Sequence, residues 1–477
     1  MLLSHLLKPL SLPLEEEEVE VTGITEDSRQ VEEGYLFFAY RGISSDGNDF
    51  IEDALERGCC AVITDSERSY RKLRGKLPVF LVSEPRKTLS LLSARFYGNP
   101  ERKVRIIGIT GTNGKTTTAL LTFQALKRLS VKSGYVGTLG YGMSLDSLSP
   151  TGMTTPSPTT FFKILKEFAD RGCRYVVCEV SSHGLELDRV FGVPFEVAVF
   201  TNLTPEHLDF HKDLFSYFLS KEKLFFSAKS SLINVDDRWG VALSALRGIF
   251  PGTSFTYGKA GDFKILEFRD GLLSLNFQGK VYQVPSSLRG DFNGYNLCAS
   301  FSTLTLLGFE PEKVKDSFYG LRVPGRLEEV YPRVFVDYAH TPDALLKLLK
   351  TASSFTEGRL ITVFGCGGER DREKRAPMGR IAYELSDVVI ITSDNPRGED
   401  PQRIIADILK GIPFRENVFI IPDRKKAIEK ALSIKGDNDV VVIAGKGHED
   451  YQLIGKRKIP FKDQQVVKEF YERRGSC

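Results

Sequence analysis

The feature that most restricts the fold is a short glycine-rich loop set between a strand and a helix. The apolar stretch RIIGIT (105–110) runs into GTNGKTTT (111–118) and then into the helix-forming ALLTFQALKRL (119–129). Glycines in that setting let main-chain N–H groups approach phosphate closely, and the helix N-terminus adds positive potential. The pattern assigns Gly111, Thr112, Asn113, Gly114, Lys115, Thr116 and Thr117 to ATP. Lys115 would reach the β- and γ-phosphates, and the Thr116 hydroxyl would bind Mg²⁺. In the usual G-x₄-G-K-T loop the first glycine would fall at 109, which here is Ile109. A purely structural glycine turn is the alternative; the strand–loop–helix context speaks against it.

A chain of 477 residues is too long for one core. Residues 1–99 alternate short strands and helices (GYLFFAYRG, FIEDALERG, CCAVITD, PVFLV) up to a break at Gly98-Asn99-Pro100. Residues 100–324 carry RIIGIT, YVVCEV and EVAVFTNL, the strands of a mostly parallel sheet with helices. FKILEFRDGLLSLNFQGKVYQV reads as an antiparallel excursion within it. Pro324-Gly325-Arg326 marks the next break, and 325–477 returns to alternating strands and helices. A net charge of +3 gives no reason to expect nucleic acid as a partner. No apolar run approaches the ~20 residues of a membrane span, so no membrane insertion is expected. Seven cysteines without a CxxC pair fit a reducing cytoplasm. The opening MLLSHLLKPLSLPLEEEE reads as a short amphipathic helix, not a signal peptide.

In open α/β sheets, ligands sit beyond the carboxyl ends of the strands. In the last segment every strand ends in polar or glycine-rich residues: Asp337 and His340, Gly367 to Arg370, Asp394 to Arg397, Asp423 and Arg424, Gly445 to Glu449. One such end is an ordinary turn; five together point to a site. Among them TSDNPRGE (392–399) sets one arginine among acids. Arg397 is either a solvated turn ion pair, worth little, or a reader of an anionic ligand. Glu179 ends YVVCEV, where a carboxylate needs a partner and Mg²⁺ wants oxygen ligands. A lone histidine is more often a structural hydrogen-bonder, yet His183, His207, His211, His340 and His448 all fall in strand-end stretches. Lys221, in FSYFLSKEKLFF, cannot be told from Lys223 by spacing, and its plain reading is a solvated helical lysine.

GTNGKTTT, EVSSHGLELDRV, NLTPEHLDFHKD, GDFNGYNLCAS, PGR, DYAHTPD and DNPR occur in this order, and the set closely resembles the Mur ligases of peptidoglycan synthesis. EDSRQVEEGYLFFAYRG and GKGHEDYQ narrow the resemblance to the branch that adds the third residue of the stem peptide. It covers nearly the whole chain. It implies an α/β protein of three domains: a small N-terminal domain holding the UDP moiety (1–99), a central ATPase domain (100–324) and a C-terminal Rossmann-like domain receiving the amino acid (325–477). FGCGGER is not GxGxxG, so no NAD role follows. The implied activity is ATP-dependent joining of meso-diaminopimelate to UDP-N-acetylmuramoyl-L-alanyl-D-glutamate through an acyl phosphate, by a cytoplasmic monomer.

Position by position, the resemblance places Ser28, Ile43, Ser44 and Ser45 at the uridine. Thr154, Thr155, Ser181 and Arg189 fall at the diphosphate-sugar and peptide. Lys115, Glu179, His207 and Lys221 form the implied catalytic set. Lys221 matches a family lysine carbamylated by CO₂, and Thr116, Glu179, His207 and that carbamate would hold two Mg²⁺ ions. Asn293 and Asn296 would lie near the adenine, with Arg326, Asp337 and His340 along the nucleotide. Arg370, Asp394, Asn395, Pro396, Arg397, Gly445 and Glu449 would hold the amino acid. Within the family DNPR marks members that add meso-diaminopimelate, whose second carboxylate suits a guanidinium fork; Asp394 and Asn395 would hold the turn or receive the far ammonium.

The chain departs from the family pattern at GGERDREKRAPMG, where GGDRD and KRP are usual, and at Met153, where some members have asparagine. These put individual contacts in question. Other readings of the same scaffold are a folylpolyglutamate synthetase or a Mur ligase adding a different residue. A P-loop switch or transport ATPase, and a non-catalytic sugar-nucleotide sensor, are the readings from other classes.

Overall fold

The computed structural model describes residues 1–10, 19–414 and 416–475. They form two compact units, residues 1–264 with 299–317 and residues 265–298 with 318–477.

The first unit opens with the helix Leu3–Leu7, which buries Leu3, Leu6 and Leu7 on one face, as i, i+3, i+4 spacing requires. The acidic run of the expected N-terminal helix lies outside the described residues. Strands β1 (Gly23–Thr25), β2 (Tyr35–Ala39), β3 (Ala61–Thr64) and β4 (Val79–Leu81) pair in that order, all parallel. A second sheet holds β5 (Arg105–Thr110), β6 (Ser133–Gly137), β7 (Gly140–Gly142), β8 (Tyr175–Glu179), β9 (Phe195–Phe200), β10 (Ala228–Asn234) and β11 (Thr253–Gly258). Its order is β7-β6-β8-β5-β9-β10-β11, parallel except for the β6–β7 hairpin. Buried Val, Ile and Phe residues run almost unbroken along β5, β8 and β9, as expected of parallel strands covered on both faces. The chain leaves this unit within β12 (Phe263–Arg269), whose first residues pair parallel with β11.

The second unit takes in the rest of β12 and the hairpin of β13 (Leu272–Phe277) and β14 (Lys280–Pro285), the expected antiparallel excursion. Its main sheet contains β15 (Glu328–Tyr331), β16 (Val334–Asp337), β17 (Leu360–Phe364), β18 (Val388–Ile391), β19 (Val418–Ile420) and β20 (Val440–Ala444), in the order β15-β16-β20-β17-β18-β19. Alternate residues feed opposite cores. Phe335, Phe364, Val389, Ile391 and Val442 join Leu345, Leu349, Met378 and Ile405 on one face. Val334, Val336, Ile361, Ile390 and Val441 join Ile428, Leu432 and Val467 on the other. Helices thus cover both faces, and the polar chemistry is confined to the strand ends. A final hairpin, β21 (Tyr451–Ile454) with β22 (Arg457–Pro460), follows β20.

Candidate active site

The glycine-rich loop lies between the carboxyl end of β5 and the helix Lys115–Arg128, with β8 and β9 as neighbours. Gly111 has φ +144°, and a Cβ there would stand 1.9 Å from Thr201 Oγ1, so only glycine fits. The residues after β9 brace the loop. Asn202 accepts from Asn113 N (2.9 Å) and donates to Asn113 O (3.0 Å), Thr201 Oγ1 donates to Asn113 O (2.6 Å), and Thr112 N donates to Asn202 O (2.8 Å). Lys115 curls back over the loop, its Nζ donating to Gly111 O and Thr112 O, both at 2.8 Å.

Glu179, the last residue of β8, is buried and accepts four hydrogen bonds. Tyr135 OH (2.5 Å) and Thr138 N (3.1 Å) reach Oε1; Thr116 Oγ1 (2.8 Å) and Thr138 Oγ1 (3.0 Å) reach Oε2. The single proton of the Thr138 hydroxyl goes to Glu179, so in the Thr138–Thr154 bond (3.1 Å) Thr154 donates. A polar chain therefore runs from Thr116 through Glu179 and Thr138 to Thr154. Among the described residues no three His, Cys, Asp or Glu side chains lie close enough to hold a metal by themselves. The Thr116 hydroxyl and Glu179 carboxylate are hard oxygens 2.8 Å apart, which fits Mg²⁺, an ion that takes one or two protein oxygens and completes its shell from phosphate and water.

Lys221 lies on the helix Leu214–Glu222 and is only 1% exposed, so it is not the solvated lysine that spacing alone suggested. Its Nζ donates to Gly111 O at 2.8 Å and lies 4.5 Å from the centre of the Tyr217 ring. Burial first, and Lys115 second, hold its pKa well below the ordinary 10.5, favouring the neutral amine. His207 precedes the short helix Leu208–His211 at φ +56°, with Nε2 3.9 Å from Glu206. Burial first, with the Lys115 charge adding to it, lowers its pKa against the pull of Glu206. His183 packs on Phe210 and contacts His207 and His211. Burial pushes both His183 and His211 down to about 4, so both rings are neutral at working pH.

A cavity of about 250 Å³ is lined by Glu26, Tyr40, Ile43, Ser44, Arg86 and Arg189, among others. Of the residues expected at the UDP-substrate, Ile43, Ser44 and Arg189 line it, whereas Ser28 and Ser45 do not. Thr155 and Ser181 are tied to the end of β8: Thr155 Oγ1 donates to Glu179 O (3.0 Å) and accepts from Ser181 N (2.9 Å), and Arg189 donates to Thr155 O (2.8 Å). Burial raises the Glu26 carboxyl, which accepts from Tyr40 OH at 3.1 Å.

In the second unit, Asn296 donates to Asn293 Oδ1 at 3.0 Å along one helix. The Arg326 guanidinium lies 4.7 Å from the centre of the Tyr338 ring, which also contacts His340 and His448. Asp337 spends both oxygens on main chain, accepting from Leu327 N (2.6 Å) and Ala339 N (2.7 Å). Burial raises its pKa against the pull of Arg326.

The residues expected to hold the amino acid gather beyond β17, β18 and β20. Asn395 is fully committed to the turn. Its Oδ1 accepts from Leu453 N (2.9 Å) and Lys446 Nζ (3.2 Å), and its Nδ2 donates to Glu449 (2.9 Å), so it has no acceptor left for a ligand ammonium. Lys446 is fully buried and pairs with Glu449 at 2.8 Å. Asp394 Oδ1 accepts from Asn395 N at 2.7 Å. Arg397 donates to Gly368 O (2.8 Å) and Asn395 O (3.4 Å), and no carboxylate among the described residues pairs with it. The turn ion pair considered from sequence is therefore absent. Arg370 is exposed on the neighbouring loop. Sequence reasoning missed Tyr135, Thr138, Thr201, Asn202 and Lys446, all of which hold the expected residues in place.

A phosphate loop backed by a buried Glu–Thr pair, in a chain with a second doubly covered α/β unit, defines a nucleotide-dependent enzyme of the P-loop class. Three family models match in succession: the Mur ligase family, catalytic domain, over residues 20–97; the Mur ligase middle domain over 109–304; and the Mur ligase, glutamate ligase domain over 325–447. A UDP-N-acetylmuramoyl-L-alanyl-D-glutamate--2,6-diaminopimelate ligase of Aquifex aeolicus is 46% identical, covering 94% of this chain and 93% of its own. The ligase of the same name from Clostridium botulinum is 40% identical over 98% and 99%. A solved structure of a ligase with that name superposes with a TM-score of 0.72 at 32% identity, covering all of both chains. This chain belongs to the Mur ligase family, with that family's three-part α/β architecture. A folylpolyglutamate synthase of Mycobacterium tuberculosis, 20% identical over 74% of this chain and 91% of its own with a TM-score of 0.64, shares the fold alone.

Proposed function

We infer that this chain is an ATP-dependent, ADP-forming ligase that joins meso-diaminopimelate to UDP-N-acetylmuramoyl-L-alanyl-D-glutamate in peptidoglycan precursor synthesis. The observation that carries the choice of amino acid is Arg397, a half-buried guanidinium without a carboxylate partner among the described residues, in a chain whose relatives are named for diaminopimelate. No helix among the described residues is long and apolar enough to cross a membrane, and the proposed setting is the cytoplasm, as a monomer.

The substrate carboxylate attacks the γ-phosphorus of ATP, ADP leaves, and an acyl phosphate forms. The amine of diaminopimelate then attacks the acyl carbon and inorganic phosphate leaves. Activation is needed because a carboxylate is a poor electrophile, and no protein nucleophile takes part. The chain's share is positioning and charge neutralisation. Main-chain N–H groups of Gly114 to Thr117, at the start of the loop helix, and the Lys115 ammonium hold the phosphates. Thr116 and Glu179 would hold Mg²⁺, which neutralises charge on the phosphate oxygens. Lys221, buried and biased to the neutral amine, is the form of lysine that reacts with CO₂; its carbamate, with His207, would supply oxygen and nitrogen to a second Mg²⁺. The cavity at Tyr40, Ile43 and Arg189 takes the UDP end, and Arg370, Arg397, Asp394 and Glu449 select the amino acid.

The test is ligation with the UDP-dipeptide and a panel of amino acids, followed by phosphate release and product mass. Product should form only with ATP and diaminopimelate together. Phosphate release that needs no amine, or equal use of all amino acids, would overturn the reading.

A further inference from the structure

Glu399 follows Arg397 by two residues, yet it is gripped by a different arginine. Arg375 is fully buried and binds Glu399 through two hydrogen bonds, Nη1 to Oε1 at 2.8 Å and Nη2 to Oε2 at 2.7 Å. The same guanidinium donates to Asp407 Oδ2 (3.1 Å) and Gly367 O (3.3 Å). Among the described residues Glu399 has one other ion-pair partner, the exposed Arg372 at 3.3 Å. The Arg375 bonds hold the Glu399 carboxyl down at about 2, so it is an anion at every working pH.

The loop 367–370 and the turn 394–399 are laced together. Gly368 N donates to Asn395 O (2.9 Å), Glu369 N donates to Glu399 Oε2 (3.2 Å), and Arg397 Nη1 donates to Gly368 O (2.8 Å). Contact at Gly368 is so close that a Cβ there would stand 2.0 Å from Pro396 O and 3.0 Å from Glu399 Cβ. Arg397 and Glu399 therefore flank one glycine, an unpaired cation beside an acid that is spoken for. A carboxylate in that place without a partner would be drawn to the guanidinium, because charge-assisted fork pairs outweigh single contacts.

We propose that Arg375 is a positioning residue for amino-acid selection: by gripping Glu399 it keeps the chain's own carboxylate off Arg397, leaving that guanidinium for the distal carboxylate of the incoming amino acid. The proposal rests on the function inferred above. It explains a buried arginine that touches neither nucleotide loop nor Arg397, and it makes Glu399 an internal competitor of the substrate rather than a ligand of it.

The experiment is steady-state ligation with meso-diaminopimelate and L-lysine by the full chain and by R375M, R375K, R375M/E399Q and R375K/E399Q, with thermal melts alongside. R375M is expected to raise KM for diaminopimelate about tenfold or more while kcat at saturation falls less than about threefold. R375M/E399Q removes the competing anion and should bring KM back to within about threefold of wild type. R375K, which makes one contact instead of two, should shift KM part-way, and E399Q should cancel that shift too; this second pair decides the matter if R375M does not fold. Double variants no better than the single ones, or a single variant with wild-type KM, overturn the proposal, since a merely structural arginine gives no rescue. A wild-type enzyme indifferent between the two amino acids would sink the proposed function itself, whereas a preference kept intact by R375M sinks only the positioning role.

Discussion

The Thr116 hydroxyl donates to Glu179 Oε2 at 2.8 Å, joining the first turn of the loop helix to the end of the neighbouring strand. That bond fixes two hard oxygens side by side next to Lys115. Glu179→Ala and Lys115→Ala should each cut turnover by roughly 10²–10³ or more, the loss of about 3–5 kcal/mol of charge stabilisation. Phosphate release by folded variants measures it, and near-wild-type kcat in either would refute the assignment. Glu179→Gln should also raise the Mg²⁺ concentration needed for half-maximal nucleotide binding.

Lys221→Ala should be nearly inactive and partly restored by short carboxylic acids, whose oxygens replace those of the carbamate. Lys221→Arg should not respond to CO₂, because a guanidinium does not form the carbamate. ¹³CO₂ labelling followed by NMR checks the adduct directly. An active, substrate-saturated enzyme without it would remove the carbamate from the mechanism.

With L-lysine bound, Arg397 would be left desolvated and unpaired, at a cost of about 2–5 kcal/mol, or roughly 30- to several-thousand-fold in kcat/KM. Wild type should therefore prefer meso-diaminopimelate strongly, and Arg397→Ala should lose most of that preference through KM for the amino acid. An unchanged KM in the variant would return Arg397 to a structural turn residue.

Stability should fall on the acid side in a way that tracks Glu399. Its folded pKa of about 2 lies below the ordinary 4.5, with Arg375 as the main cause. As pH falls the unfolded chain takes up this proton first, so the contribution, roughly 3 kcal/mol, is complete above pH 4.5 and is lost as pH falls towards 2. Thermal melts from pH 6 down to about 3 should show a steeper decline in wild type than in E399Q. Parallel curves would assign the acid limb to other carboxylates.

The phosphate loop was readable in the sequence because its glycines, lysine and threonine are contiguous and its strand and helix announce themselves by period. Glu179 was readable because a charge at the end of an apolar strand demands a partner. Which partners it has was not readable. Tyr135 and Thr138 lie on and just after another strand, β6, and a neutral hydroxyl carries no pattern that distinguishes a buried acceptor's neighbour from a surface residue. Lys446 and Arg375 illustrate the same limit for charge. In GKGHE and EKRAP they look like ordinary solvated cations, and only the packing of helices on both faces of the second unit's main sheet shows that each is sealed in with an acid. The sequence left Asn395 two roles, holding the turn or receiving an ammonium; Leu453 N of the hairpin β21–β22 and Lys446 take both acceptor positions of its Oδ1 and leave it the first.

That hairpin also fixes Arg397 in a backbone conformation few side chains adopt. Its φ is +51°, held by Arg397 N to Leu453 O (2.9 Å) and Gly455 N to Arg397 O (2.6 Å). A left-handed arginine costs about 1 kcal/mol relative to glycine. Arg397→Gly should thus melt higher than wild type, or no lower, while losing its grip on diaminopimelate; a clear drop in Tm would show that the side chain repays its own strain. Heat resistance and substrate discrimination pull on this one position in opposite directions. A lineage bred in the laboratory for thermal endurance alone would be expected to shed its arginine and, with it, its choice of amino acid.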